Sequence, residues 1–486
     1  SSSAASDVYK RQVIAGVFDA CDTIVAATDA SREGEMLFRY LYRFLGCRKP
    51  CLRLWISSLT DEAIAKGMEN LRPCSLFDNL FLAADSRNKA DWLLGVNSSY
   101  AVCKAVGFGN NSLGRVQTPV LAAISGRYRE RENHIPADSW PVFVSLCKNG
   151  KIIKMRHVED FCNRRDALEL YEDCKAAGYA RITAVSSRTE EITAPALYNL
   201  TGLQKDANRY HNLTAIRVQE ITQSLYEKKL ISCPRTSSRL LPGDVYDMLP
   251  PVMEKLLSGK EFRQYAGMVD LAARKGVTGN QDTAEHHAIV ITGIQPGELD
   301  REERLVYTLV VGRMLETFMP PCKVEYTTVE AVCAARKFRI RTYRILETGW
   351  LGIFQRERLV AEDNDLCPVS PELFREEKLP VTGCSLIHRK SLPAAPYTDE
   401  ELADYMDKTG LGTASTRTNI IRTLLERKYI RYSGKYIIPT PKGLLLYETV
   451  RGMKVADASL TSGWEAELAR IEQGELTQKE FLDGVL

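Results

Sequence analysis

The side chains with a chemistry of their own converge on one short stretch, Lys229 to Arg239, which reads KLISCPRTSSR. Cys233 is a nucleophile-type residue, and Arg235, two positions on, carries a planar fork of donors that matches a phosphate. Pro234 between them locks its own φ and biases Cys233 toward extended geometry, so the pair sits on a stiff turn. Thr236 and Ser238 add hydroxyls near the same anion. A nucleophile beside a phosphate clamp is what storing a broken phosphodiester as a covalent bond to protein requires. The plainer alternative is a small, partly buried thiol in a turn, the usual behaviour of free cysteine. No glycine-rich phosphate loop follows Cys233, which argues against a cysteine phosphatase.

A second chemistry lies near the start. Asp22 to Thr28, DTIVAAT, reads as a short buried strand, and Asp29-Ala30-Ser31-Arg32-Glu33-Gly34-Glu35 follows it at once. Helical spacing then runs through Met36, Leu37, Tyr40 and Leu41. Acidic groups at the carboxyl end of a buried strand stand where α/β sheets usually hold ligands. Asp29 and Glu33 are placed to share one hard divalent cation through oxygen, with Mg²⁺ and its retained waters the best fit. The competing reading is a helix start enriched in carboxylates by its dipole.

Three further groups are candidates for contact with a polyanion. Ser112 to Pro119, SLGRVQTP, opens a helix after the loop Gly107 to Leu113, with Arg115 and Gln117 near its start. Thr283 to Ile289, TAEHHAI, sets His286 and His287 before an apolar run; adjacent side chains do not share a helix face, so they make a poor metal pair. Lys337, Arg339 and Arg341 alternate onto one strand face, where a solvated surface is the better reading than a DNA track.

The elements that must position these groups fill several domains, since 486 residues exceed one ordinary core. Apolar residues at 44 % and charged residues at 26 % describe a globular chain, and a net charge of only +3 leaves nucleic-acid affinity to local clusters. The 13 cysteines lack paired short spacing, which disfavours a zinc site or a disulfide framework and fits a reducing cytoplasm. No apolar run is long enough to span a membrane. Ser1 to Gln12 matches no later pattern and is set outside the fold as an assembly scar.

Along the chain, Leu52 to Leu59 reads as a strand with Thr60 and Asp61 opening the next helix. Asp78 to Val106 is helical, with Trp92, Leu93 and Val96 on one side. Trp140 to Arg188 alternates strand patterns with charged turns. Thr214 caps a helix whose buried stripe is Val218, Ile221 and Leu225, stapled by Leu213, and this helix delivers the chain to Cys233. Val324 to Leu346 is β-patterned, and the proline-bearing stretch Pro371 to Pro396 leads to the last region. There, helices from Thr398 and Thr413, the turn Gly410-Leu411-Gly412 and a hairpin about Ser433-Gly434 describe a winged-helix unit with Arg417, Arg422 and Arg427 outside.

Five of these stretches, in order, resemble motifs of the type IA DNA topoisomerases, with a topoisomerase III-like flavour. The acidic turn resembles the Toprim motif Asp-x-Asp-Arg-Glu-Gly-Glu, departing at Ser31. SLGRVQTP resembles the motif where the gate strand enters; SCPRTSS resembles the Tyr-Pro-Arg-Thr/Ser motif, with Cys233 in the tyrosine slot; HHAI resembles the segment whose histidine, here His286 before His287, steadies the scissile phosphate. Gly410 to Arg417 resembles the Gly-Ile-Gly-Thr-x-Ala-Thr-Arg motif of the strand-binding domain.

The resemblance implies a multi-domain α/β plus all-α toroid. Its expected parts are a partial Toprim domain over 13–60, a winged-helix-like strand-binding domain over 61–137 and 391–486, a β-rich arch over 138–195 and 321–390, and a helical domain with the nucleophile slot over 196–320, with 1–12 set aside. It implies ATP-independent cleavage of one DNA strand, strand passage and religation through a 5′-phosphotyrosine, with Mg²⁺ at Asp29 and Glu33. Catalytic positions would be Cys233, Arg235, Glu33, His286 and His287. DNA contacts would come from Arg32, Arg115, Gln117, Thr236, Ser238 and Arg417. Partners would be single-stranded and supercoiled DNA and a helicase, acting on a cytoplasmic monomer.

Two departures limit this copy. The family's Toprim opens with an earlier strand bearing a Glu-Lys pair, which nothing before Asp22 supplies. A cysteine sulfur also falls roughly 3–4 Å short of a phenolic oxygen, where a misplacement of ~1 Å already costs about a hundredfold in rate. Weak or absent relaxation is therefore expected. The alternative is a non-catalytic, single-strand-binding remnant from a mobile element.

Overall fold

The computed structural model describes residues 2–56, 61–106, 111–259, 262–272, 277–279, 286–354, 366–368 and 372–485. The tail of the Leu52 to Leu59 strand, the cap at Thr60, the loop residues 107–110, Thr283 to Glu285 and Pro371 lie outside the described residues.

Helix α1 (Ser2–Ala20) takes in the stretch set aside as a scar, and from Tyr9 on it is largely exposed. Strands β1 (Ile24–Ala26) and β2 (Cys51–Arg53) run parallel across helix α2 (Arg32–Phe44); after α3 (Asp61–Glu69), β3 (Arg72–Pro73) adds antiparallel. β1 buries Ile24 and Ala26 but turns Val25 outward, so it is a half-covered edge strand rather than a fully buried one. β2 stops at Arg53, short of the run expected from the apolar pattern. A disulfide joins Cys51 to Cys74, at the head of a 3-10 turn, with Cα atoms 5.6 Å apart. It is a single clip closed across 23 residues, which spacing rules do not reveal.

On helix α4 (Asp78–Val106) Trp92 and Val96 are exposed, while Phe81, Ala83, Ala84 and Ala90 are buried. Small residues face inward because α2 and the C-terminal helix α15 (Ser459–Glu472) pack close on that side. Helix α5 (Gln117–Glu132) joins the final region in one core, in which Val120, Leu121 and Ile124 meet Leu402, Leu424 and Ile437.

The β-rich region comprises β4 (Asp138–Ser139), β5 (Val142–Lys148), β6 (Lys151–His157), β7 (Tyr179–Ile192), β8 (Cys322–Cys333), β9 (Arg336–Glu347), β10 (Leu366–Pro368), β11 (Lys378–Leu386) and β12 (Arg389–Lys390). Strand order β9-β6-β5-β11-β7-β8 closes on itself through β8–β9, leaving β10 attached outside β9. Helix α6 (Arg164–Ala177) covers one side; the strand reading missed it, although Asn163 caps its start and left-handed Gly178 ends it. Arg339 lies opposite Glu330 and pairs with it at 2.8 Å, so this basic stripe includes a solvated ion pair, as expected.

Helices α7 (Leu200–His211), α8 (Ala215–Glu227), α9 (Gly243–Asp247), α10 (Leu249–Ser258) and α11 (Arg301–Thr317) surround the largest core. Thr214 caps α8, and Val218, Ile221 and Leu225 are buried as read from sequence. That core runs past residue 320 to include Cys322, Val324 and Trp350, so the arch and helical regions share a hydrophobic boundary.

The last region holds α12 (Asp399–Lys408), α13 (Ala414–Glu426), the hairpin β13 (Ile430–Ser433) and β14 (Tyr436–Pro439), α14 (Pro441–Val450), α15 and α16 (Gln478–Val485). Asp399, 3 % exposed, accepts from the Tyr432 hydroxyl at 3.0 Å, and burial pushes its carboxyl up to about 6. A folded pKa above the ordinary 3.8 means the folded state binds more protons, so this contribution is full below 3.8 and is lost as pH rises through about 6. Its limit is about 3 kcal/mol, from two pKa units. Denaturant midpoints of Asp399→Asn are expected to lack the fall between these pH values that the unsubstituted chain shows.

Candidate active site

The Cys233 loop is held by its neighbours on both sides. Lys229 takes a left-handed φ of 58° to end α8, and Ile231 then bridges Ile291. Ser232 N–H donates to Val290 O at 2.8 Å, Ser232 Oγ donates to Ala288 O at 3.1 Å, and Val290 N–H returns to Ser232 Oγ at 3.0 Å. On the far side, buried Thr236 donates from Oγ1 to His286 O at 2.6 Å and accepts Ser238 N–H at 3.0 Å. Two segments more than fifty residues apart are thus clipped on both flanks of Cys233 and Pro234.

Within this frame Cys233 is half-buried, and Arg235 is exposed, its Nη2 donating to Gln223 Oε1 at 3.4 Å. Desolvation, opposed by Asp29 and assisted by Arg235, lowers the His286 pKa, so this imidazole is neutral near pH 7. His287 turns to the Ala288 carbonyl through Nδ1 at 2.7 Å, and burial lowers its pKa as well. His286, not His287, therefore faces the electrostatic field of Asp29 and Arg235. Tyr226 on α8 belongs to the same group: burial, then Cys233 and Asp29, raise its phenol pKa while Arg235 opposes. A phenol held protonated is a poor replacement nucleophile. Sequence spacing did not single it out, because it reads as the residue after the buried stripe.

The acidic turn is built as tightly. Ser31, the departure from the family motif, caps α2 by accepting Gly34 N–H at 3.0 Å. Thr28 Oγ1 donates to Gly34 O at 2.8 Å, and Ser31 N–H donates to Asp29 O at 2.8 Å. The Asp29 side lies outward, and Glu33, 41 % exposed in its side chain, pairs with Arg87 of α4. Arg32 pairs with Glu465 at 2.8 Å and with Glu472, both on α15. Ser31, Arg32, Glu33, Glu465 and Glu472 line a cavity of about 2060 Å³ that Gly412, Thr413 and Thr416 also line.

Comparison with known proteins decides the family. The family model described as DNA topoisomerase matches residues 75–483. The chain belongs to the type IA DNA topoisomerase family. It is 30 % identical over 490 residues to DNA topoisomerase 3 of Bacillus licheniformis and 32 % identical over 493 residues to that of Bacillus cereus, in each case over 94 % of this chain. The chain spans 66 % of the length of these relatives. Full-length topoisomerase I from Thermotoga maritima superimposes with a TM-score of 0.76 at 20 % identity, covering 98 % of this chain and 79 % of that one, which establishes the shared fold.

In this topoisomerase chain several expected DNA contacts are already engaged by protein. Arg115 is 6 % exposed and held by Asp91 at 2.7 Å, Glu465 at 3.5 Å and the Trp464 ring at 5.2 Å. Gln117 receives Arg427 Nη1 at 2.6 Å. Arg417, also buried, reaches Asp407 at 2.7 Å and Thr201 of α7 at 3.1 Å, while Arg422 pairs with Glu220 of α8 at 3.1 Å. The expectation that Arg417 and Arg422 lie outside is thus corrected, since α13 faces the helical region and these two reach α7 and α8, whereas Arg427, just past the end of α13, is exposed. A helix with two populated faces reads as exposed on its polar side until a neighbour covers it.

The donor chemistry fits Mg²⁺. Two carboxylates on one outward turn, completed by waters and phosphate oxygens, are a usual set for this hard cation. Among the described residues there is no cluster of three or more His, Cys, Asp or Glu that could hold a metal. No helix among the described residues is long and apolar enough to cross a membrane.

Proposed function

We propose that this chain binds single-stranded DNA along the cavity lined by the acidic turn and on to the Cys233 loop, as a type IA topoisomerase whose covalent step is disabled. The observation supporting this reading most directly is that Asp29 and Arg235 both act electrostatically on His286, and both act with Cys233 on Tyr226, although the acidic turn, the Cys233 loop and the His286 segment are separate stretches. Asp29 and Glu33 would hold Mg²⁺, which supplies charge to orient and neutralise the phosphate. Arg235 and neutral His286 would steady the scissile phosphate, with Thr236 fixing His286 and Ser238 fixing Thr236 in turn. Cys233 carries too short an arm to reach it. The chain acts as a monomer in the cytoplasm on this reading.

The test is twofold. Fluorescence anisotropy should show an oligonucleotide bound more tightly single-stranded than as a duplex, while supercoiled plasmid with Mg²⁺ stays unrelaxed. Strong relaxation by the unsubstituted chain contradicts the disabled covalent step. Arg32 and Arg115 meet Glu465 and Glu472 where a phosphate would stand, so DNA must displace these carboxylates. Glu465→Gln combined with Glu472→Gln is expected to tighten single-strand binding about fivefold at low salt, in line with partly exposed ion pairs of about 1 kcal/mol. An unchanged salt slope and affinity would show that these arginines do not meet phosphate.

A further inference from the structure

We propose that Arg53, which touches neither the cavity nor any expected substrate, is the positioning residue that fixes the backbone carrying the Asp29 carboxylate. Its side chain is completely buried, an unusual place for a charge. One guanidinium nitrogen, Nη1, donates to Ala26 O at 2.9 Å, Thr28 O at 2.7 Å and Leu54 O at 3.3 Å; the other, Nη2, donates to Asp29 O at 2.6 Å. Ala26 O, at the end of β1, also accepts Leu54 N–H at 3.0 Å, but beyond Ala26 the sheet offers the Thr28 and Asp29 carbonyls no strand partner. There the guanidinium replaces the missing ladder, and the two carbonyls it holds fix peptide planes at Asp29.

The charge is balanced within the same small region. Arg53 Nε stands 3.0 Å from Glu35 Oε2, and neither atom has a hydrogen-bond partner, so this contact is a Coulombic pair without a well-aligned bond. Glu35 is itself fully buried and takes Arg39 Nε on its other oxygen at 2.8 Å. Arg39 continues to Asp78 at 2.8 Å. Removing one partner of such a pair leaves an uncompensated buried charge, so the arrangement resists partial loss. The fork geometry matters as much as the charge: a lysine ammonium is a compact point donor and cannot reach carbonyls from Ala26 to Asp29 at once. Gly34 adds the opposing wall, since its backbone lies directly on the Asp29 carbonyl that Arg53 holds. Asp29 is thus gripped from both sides while its carboxylate stays outward.

The inference rests on the reading that Asp29 and Glu33 take a divalent cation, and it predicts a cation phenotype for a residue with no cation contact. Mn²⁺ binding, followed by electron paramagnetic resonance of the free ion, is measured on the full chain, on Arg53→Lys and on Glu35→Gln, alongside single-strand affinity without divalent ions. Both variants are expected to unfold cooperatively and to bind the oligonucleotide within twofold of the unsubstituted chain. Arg53→Lys should weaken Mn²⁺ binding about tenfold, the usual scale for a group that orients a ligand. Glu35→Gln, which keeps the fork but frees its tilt, should weaken it about threefold and serves as the readout where Arg53→Lys does not fold. Unchanged Mn²⁺ affinity in a folded Arg53→Lys, or in Glu35→Gln where only that variant folds, overturns the role of Arg53. Failure of the unsubstituted chain to bind Mn²⁺, with Asp29→Asn giving the same result, instead overturns the cation reading and the proposal with it.

Discussion

Replacing Cys233 by tyrosine is expected to take the chain from no covalent strand transfer to measurable cleavage of a single-stranded oligonucleotide, a gain of at least about a hundredfold. Ser232 and Thr236 carry bonds that pin the loop to Ala288, Val290 and His286 on both sides of position 233. A phenol placed there projects toward the groups acting on Cys233 without moving the backbone. With a pKa of about 10 it serves both as nucleophile and as leaving group for resealing. Arg235 is exposed and weakly held, and so is available to a phosphate whose charge grows in the transition state. End-labelled oligonucleotide, Mg²⁺ and a denaturing gel give the readout. A Cys233→Tyr chain that folds, binds the strand and still forms no adduct would mean that the arm length is not what disables this copy.

Gly34→Ala should be the most damaging single methyl group in the acidic turn. An added Cβ would lie 2.1 Å from the Asp29 carbonyl oxygen and 3.0 Å from its nitrogen, atoms of backbone that Arg53 and Ser31 already hold. Alanine gains about 1 kcal/mol of helix propensity over glycine, while forcing an overpacked contact against backbone costs about 3 kcal/mol, so the clash decides the sign. A lower urea midpoint and loss of Mn²⁺ binding are expected together. Gly16, inside α1 with nothing within 4 Å of an added Cβ, is the matched control, and Gly16→Ala should leave Mn²⁺ binding unchanged and not lower the urea midpoint.

The chemistry was legible in sequence where it is local. The order strand, acidic turn, helix follows from DTIVAATDASREGE, and the helix delivering Cys233 follows from Thr214, Val218, Ile221 and Leu225. Ser31 reads as a lost carboxylate by motif but turns out to be the helix cap, a role its residue type already favours. What stayed hidden depends on long-range pairing. Arg32 meets Glu465 across 433 positions and Arg53 holds Asp29 across 24, and no periodicity carries such partners. The same blindness placed Arg417 at a surface, since an amphipathic helix does not say which neighbour covers which face. Closure of the β-rich region through β8 and β9 was likewise beyond a strand-by-strand reading.

The central claim is that the cation-bearing turn and the phosphate-binding loop form one site whose nucleophile slot is too short. Its most direct test takes the chain as it stands, incubates it with a single-stranded oligonucleotide and Mg²⁺, and maps the tryptic peptide containing Cys233 by mass spectrometry. The account predicts an unmodified thiol while anisotropy reports bound strand. A peptide carrying a nucleotide joined through sulfur at Cys233 would contradict it.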